Sequence, residues 1–381
     1  MNRRNFLRFS AACGGALVIA PRMVFANVET DRRFVFIIQR GAADGLNTVV
    51  PYAEPAYAKL RGALAVAQNE ALKLDGTFAL HPSLTGLSQL YKGKEALFVQ
   101  AVASPYRERS HFDGQNVLET GGADPYKLKD GWLNRLTTLL PKSKDEAIAF
   151  APTVPLALRG KAEVASFAPS NLPAAPDDLL MRVGALYEKD PQLHALWSAA
   201  MDARELAGDA NARQDPASVG KTAGGFLARD DGPRIAMIET SGWDTHSNQE
   251  GRMDRQLRGL DQLIMALREQ LGPAWKNTTV LVATEFGRTA AVNGTGGTDH
   301  GTAAAAMVIG GAVEGGRILA DWPGLAQANL YEGRDLAPTL NLDDLIATVA
   351  AESLRLDPGQ VARTLFPDSK VAGKLSGLVR A

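Results

Sequence analysis

Five short runs of apolar, β-forming residues punctuate the chain, at 34–38, 96–102, 235–238, 279–283 and 306–309. They lack the strict apolar–polar alternation of a strand with one wet face, so each predicts a strand buried on both sides, as in a parallel sheet. Between them apolar residues recur at helical spacing. Over 252–271, Leu257, Leu260, Leu263, Ile264 and Leu267 share one face. Strand and helix signals that alternate in this way predict an α/β fold, a mostly parallel sheet with helices on both faces. The stretch 163–224 carries no strand signal and reads as a helical insertion with alanine-rich turns and a loop over 214–222. A last helix signal covers 342–354. No repeat, heptad array or low-complexity tract interrupts the pattern, and 27–381 is expected to form one domain.

Residues 1–26 stand apart. The basic start Asn2-Arg3-Arg4-Asn5-Phe6-Leu7-Arg8 runs into a small-residue apolar stretch and ends in Val24-Phe25-Ala26, the form of a twin-arginine signal cleaved after Ala26. The apolar stretch is shorter than the roughly 20 residues that span a bilayer, and Pro21 and Arg22 end it. The expectation is export in the folded state through the twin-arginine translocase to the periplasm or the medium, with no stable membrane anchor after cleavage. The only cysteine, Cys13, lies in this segment, so the exported part has no disulfide, thiolate zinc site or cysteine nucleophile. The segment also holds four arginines and no acid. Removing it from a chain of net charge −1 leaves −5, which argues against nucleic acid as a partner.

In open α/β sheets, chemistry collects in the loops at the carboxyl ends of strands. Four polar clusters follow strand signals: Gly41-Ala42-Ala43-Asp44-Gly45-Leu46-Asn47, Arg107-Glu108-Arg109-Ser110-His111-Phe112-Asp113, Glu239 to His246, and Thr284-Glu285-Phe286-Gly287-Arg288-Thr289. A fifth, Gly297-Thr298-Asp299-His300-Gly301, precedes the run at 306–309. Three of five histidines fall in these clusters, while His81 and His194 stand outside and read as structural. Carboxylates and neutral imidazoles brought together from several strand ends are the ligands a divalent ion requires.

Each cluster also has a local explanation. Asp44-Gly45 reads as a turn, and Ser247 with Glu250 reads as a capping box for the helix that follows. Ser110 caps a helix or, beside a metal, serves as a nucleophile. The glycine-rich loop 293–297 lacks the Lys-Ser/Thr ending of a phosphate-binding loop and precedes a strand, which excludes nucleotide binding by that motif. Arg107 and Arg109 beside a helix start suit an anionic group.

Taken together, the twin-arginine start, Gly-x-x-Asp-Gly-Leu-Asn (41–47), Ser-His-Phe-Asp (110–113), Gly-Trp-Asp-Thr-His (242–246), Thr-Glu-Phe-Gly-Arg-Thr (284–289) and Gly-Thr-Asp-His-Gly (297–301) resemble the domain-of-unknown-function 1501 family. That family is placed with sulfatases and cofactor-independent phosphoglycerate mutases in the alkaline phosphatase-like superfamily, and the resemblance implies a two-metal hydrolase fold. Asp44 resembles the metal carboxylate after the first strand, Asp244 and His246 a ligand pair, and His300 the late metal-binding histidine. Glu285 falls at a strand end where relatives have Asp-His, and Ser110 falls near the nucleophile. Asp244 and His246 are two apart rather than four, and Phe286 stands where relatives carry a histidine.

The expectation is a metal-dependent hydrolase of phosphate or sulfate esters. Asp44, Asp244, His246, Glu285, Asp299 and His300 would hold one or two divalent ions, zinc first, with manganese or calcium suiting a carboxylate-rich set. Ser110 and His111 would be catalytic, and Arg109, Arg288 and Asn47 would contact an anionic small-molecule or polymer ester. The competing class is an exported binding or accessory protein on the same scaffold, for which Phe286 is the argument.

Overall fold

In the computed structural model, residues 30–141, 146–168, 177–188, 215–369 and 373–380 are described, with a few isolated positions between them. The expected signal segment with its expected cleavage site, Cys13 and much of the stretch expected as an insertion lie outside the described residues. The run Arg33–Gln39 forms β1, every residue of which is buried. The other strands of its sheet are Ala96–Ala103 (β2), Ala147–Phe150 (β3), Ala165–Phe167 (β4), Ile235–Thr240 (β5), Thr278–Ala283 (β6), Ala304–Ile309 (β7), Arg317–Leu319 (β8) and Leu340–Asn341 (β9). They lie in the order β8-β2-β7-β6-β1-β5-β3-β4, with β9 also on β2.

All pairings are parallel except those of β7, which runs antiparallel to both β2 and β6. The start of β7 therefore lies at the same sheet edge as the ends of β1, β2, β5 and β6. Reversal of this one strand brings the loop before it, 297–301, beside the four loops that follow the others.

The sheet is covered on both faces, as the apolar runs require. Phe34, Phe36 and Ile38 pack with Trp132, Leu345 and Ile346 on one side, while Val35 and Ile37 pack with Leu87, Leu260 and Ile264 on the other. The Phe36 ring meets Trp132 edge-on at 5.1 Å. Burying each such side chain stabilises the fold by about 1.5–3 kcal/mol. The covering helices, in chain order, are Thr85–Lys92 (α1), His111–Thr120 (α2), Trp132–Thr137 (α3), Pro216–Ala228 (α4), Gln249–Leu271 (α5), Leu342–Leu354 (α6) and Pro358–Leu365 (α7). A separate three-stranded sheet joins Val49–Val50, Ala79–Leu80 and Leu72–Lys73. Among the described residues, no helix is long and apolar enough to cross a membrane.

Three expectations need correction. The stretch expected to be strandless contains β4, three residues at the sheet edge that pair parallel with β3, too short and too little buried to leave an apolar run. The loop expected over 214–222 is largely helix α4, which Asp215 caps by accepting from Ser218 N, with Pro216 in the first turn. Its glycines lower helix propensity, which makes the segment look like a loop, but they are there for packing. A Cβ at Gly220 would lie 2.1 Å from the Leu263 carbonyl oxygen, so glycine alone lets α4 lie this close to α5.

The capping box expected from Ser247 and Glu250 also does not form. Asn248 precedes α5 in a left-handed conformation, with no side-chain cap. The amides of Asn248 and Gln249 donate instead to the carbonyls of Thr295 and Gly296 in the neighbouring loop, at 3.3 and 2.9 Å.

Candidate metal centre

Gly41 turns the chain as it leaves β1. Its φ of +116° is a conformation L residues rarely adopt, and a Cβ there would lie 2.6 Å from the Asp244 amide nitrogen. The loop after β5 can thus cross directly over the end of β1. Gly297 plays the same part in the loop before β7, where a Cβ would lie 2.3 Å from the Thr245 carbonyl oxygen. These close approaches stack the ligand-bearing loops on one another.

Three imidazoles meet over Asp244. His246 Nε2 and His300 Nε2 are 2.9 Å apart. Asp244 Oδ1 is 3.1 Å from the former and 3.5 Å from the latter, and Asp244 Oδ2 is 3.5 Å from His111 Nε2. His111, Asp244 and His300 each offer a ligand atom within 4.8 Å of the others, as a group able to hold a metal ion.

The far side of each ring is already engaged. His111 Nδ1 is 2.8 Å from Glu285 Oε1, His246 Nδ1 is 3.1 Å from Asp299 Oδ1, and His300 Nδ1 donates to the Arg109 carbonyl at 2.8 Å. A carbonyl can only accept, and ionised carboxylates likewise, so each Nδ1 carries a proton and each ring turns its Nε2 inward. At 2.9 Å the two Nε2 atoms can share a proton as a hydrogen bond or face a cation held between them, with the Asp244 carboxylate beside either. His111 Nε2 is moreover buried without a hydrogen-bond partner. The residues present fit a divalent ion: His111, Asp244 and His300 are the group close enough to share one, and His246 Nε2 lies beside His300 and Asp244.

The electrostatics agree. Burial pushes Asp244 up, but the hydrogen bond and charge of Arg288, with His246 and His111, outweigh it and hold the carboxyl below its ordinary range. Burial also pushes Glu285 up, and His111, Gln115 and the Gly41 amide bring it below the usual value. Asp299 is lowered first by Asn293, against burial, and then by His246. Burial lowers His300, and the neighbouring His111, Arg288 and His246 oppose its protonation further.

The sequence-derived candidates divide into three groups. Asp244, His246 and His300 lie together, and His111, expected to be catalytic, lies with them with its Nε2 3.5 Å from Asp244 Oδ2. Glu285 and Asp299 lie behind the imidazoles and orient them. Asp44 lies elsewhere: its Oδ1 accepts the amides of Leu46 and Asn47, and its Oδ2 accepts from Gln249 Nε2 at 2.5 Å and from Arg61.

The three residues expected to touch substrate are otherwise engaged. Arg288 is fully buried and donates to the carbonyls of Gly41, Ala42, Trp243 and Thr298 as well as to Asp244, so it fixes loops and cannot reach a ligand. Asn47 is buried and bound to Arg61 and the Leu64 carbonyl. Arg109 pairs with Glu332 and the fully buried Asp335, and its own left-handed backbone (φ 61°) accompanies the carbonyl contact to His300. Ser110 stands at the start of α2 but makes no side-chain cap hydrogen bond there. His81, read as structural, is a buried acceptor for the Ser83 amide.

Sequence reasoning missed Gln249 and passed over the packing role of Phe286. Gln249 is fully buried; its Oε1 accepts the hydroxyls of Thr245 (2.9 Å) and Thr298 (2.6 Å), tying the loop of Asp244 and His246 to the loop of Asp299 and His300. No motif marks a lone glutamine for such a role. The Phe286 ring stacks on His111 at 5.0 Å and stands 5.3 Å from His300, so the phenylalanine walls the imidazoles rather than emptying the site.

No curated protein matches the chain. It is similar to solved structures that include the phosphonate monoester hydrolase of Agrobacterium radiobacter (11% identity, 90% of this chain and 78% of that one, TM-score 0.37). Others are a protein in the alkaline phosphatase superfamily from Vibrio parahaemolyticus (12%, 81% and 69%, TM-score 0.36) and the C-terminal periplasmic domain of EcEptC from Escherichia coli in complex with zinc (10%, 75% and 76%, TM-score 0.38). A family model matches residues 31–366, and with it the whole of the site above: the chain belongs to the family described as Protein of unknown function (DUF1501).

Proposed function

We propose that the protein is an exported metal-dependent hydrolase of phosphate or sulfate esters, with one divalent ion held by His111, Asp244, His246 and His300. The observation that carries this reading is the meeting of three Nε2 atoms over one carboxylate, each ring already fixed through its Nδ1. A nitrogen-rich set suits zinc, whereas calcium favours oxygen ligands throughout. When bound, such an ion stabilises negative charge on an ester oxygen and lowers the pKa of an attacking hydroxyl or water.

The chain's own groups do the rest. Glu285, Asp299 and the Arg109 carbonyl fix the orientation of the imidazoles through their Nδ1 atoms, and Arg288 keeps Asp244 ionised. The first-turn amides of α2, which begins at His111, offer donors to the anionic oxygens of an ester. Ser110, directly before His111, is the proposed nucleophile for a covalent route. A cavity of about 500 Å³ opens beside the ends of β3 and β5, lined by Phe150, Glu239, Ser241, Trp243 and Gln256 among others. Its size falls within the range of small-molecule pockets, but none of the four proposed ligands lines it.

Elemental analysis of untagged protein spanning residues 27–381, beside the His246→Ala/His300→Ala double variant, tests the reading together with assays on aryl phosphate, phosphonate and sulfate esters. One ion per chain and chelator-sensitive turnover are expected, both lost in the double variant. Absence of metal after reconstitution with zinc or manganese, or a double variant that hydrolyses the esters at the wild-type rate, would sink it.

A further inference from the structure

Asp44 is the residue that the family resemblance assigns to a metal, and the structure does not fit that role. Both of its oxygens are taken, and the partner of Oδ2 is a cation. The Arg61 side chain is completely buried, and so is Asp44. Around the guanidinium stand oxygen acceptors only: Asp44 Oδ2, Asn47 Oδ1 (3.1 Å from Nε and 2.6 Å from one terminal nitrogen), and the carbonyls of Thr289 (3.2 Å) and Ala290 (3.5 Å). A carboxylate, an amide oxygen and two carbonyls are the donor set of a hard divalent cation, here closed around an arginine. The cage is joined to the candidate centre through Gln249, which donates to Asp44 and accepts from Thr245 and Thr298.

We propose that the Arg61 guanidinium is a resident cation in what would otherwise be a second metal site, so that Asp44 ligates no metal and the protein binds a single ion at its imidazoles. A permanent side-chain charge holds the loop of Asp44 to the carbonyls of Thr289 and Ala290 whether or not metal is present, and it cannot be removed by a chelator. The count of one rests on the function reading above; the nature of the Arg61 cage does not.

The test compares wild type, Arg61→Ala and Arg61→Ala/Asp44→Asn, each as residues 27–381, by calorimetric titration with calcium and with manganese and by thermal unfolding. Arg61→Ala leaves a buried carboxylate without its partner and is expected to unfold several degrees below wild type. Millimolar calcium or manganese should recover much of that loss, with one more ion bound than wild type holds; the double variant should bind no extra ion. A folded Arg61→Ala that gains no ion overturns the proposal. So does a wild type that binds a second ion lost in Asp44→Asn, a measurement that stands if Arg61→Ala does not fold. Wild type without any metal would defeat the function reading alone, since the gain in Arg61→Ala is read independently of the imidazoles.

Discussion

His111 shows how much a single contact settles at the scale of one residue. Its Nδ1 is held by Glu285, which is itself fully buried and also accepts from Gln115 and Gly41, so the ring has one orientation and one tautomer. Replacing Glu285 by glutamine keeps the shape and removes the charge that makes Nε2 a better ligand. The expected result is a 10–100-fold loss of zinc affinity, the usual effect of removing such an orienting partner, measured by competition with a chromogenic chelator. Unchanged affinity would show that the contact contributes nothing. At this scale the sequence was partly legible: the residue types and their clusters were visible, but a ligand and a residue behind a ligand look alike until the distances are known. Asp299 and Glu285 belong to the second kind, and Asp44 is spent on Arg61, seventeen positions later in the chain.

At the scale of elements, the loops are held by contacts that no periodicity reveals. Gln249, the first residue of α5, ties two ligand loops, and Gln249→Ala leaves two buried threonine hydroxyls and Asp44 short of a partner. A loss of about 1–3 kcal/mol in urea unfolding is expected, with weaker metal binding. A variant with wild-type metal affinity would restrict Gln249 to a purely structural part.

Helix α6 carries a second test. Asp343 lies in its first turn, buried, accepting from Ser369 Oγ, and burial with the nearby Asp344 pushes its carboxyl up to about 7 despite that hydrogen bond. The folded state then holds a proton that the unfolded chain releases near pH 4, so stability falls as pH rises from about 4 to about 7. Asp343→Asn removes that slope. Its unfolding free energy should match wild type near pH 4 and exceed it increasingly up to pH 7, by a difference on the order of a few kcal/mol, read as a rising gap between the two thermal midpoints. Equal midpoints at both ends would show that the group is not neutral in the fold.

At the scale of the whole molecule, the sheet and its two apolar faces stand apart from the loops at its edge. Chelation is therefore expected to abolish ester hydrolysis and lower the thermal midpoint by the binding term alone, with the far-ultraviolet circular dichroism unchanged. Collapse of the spectrum would mean that the centre holds the fold together. By itself the sequence determined the strands, because a segment buried on both faces must be apolar throughout. It determined the long helix α5 by its apolar stripe, and the family by motifs that are contiguous in the chain. Helix α4 and β4 were hidden, since the glycines of one answer to a neighbouring helix and the other is three residues at an edge. Only the tertiary structure decided which polar residues share a site. Reversal of β7 carries His300 to the sheet edge where the other strands end, and the distances between loops separate the side chains that face one another from those behind them and from the buried ion pair of Asp44 and Arg61. Those distances depend on backbones packed from remote parts of the chain, and local pattern carries no record of them.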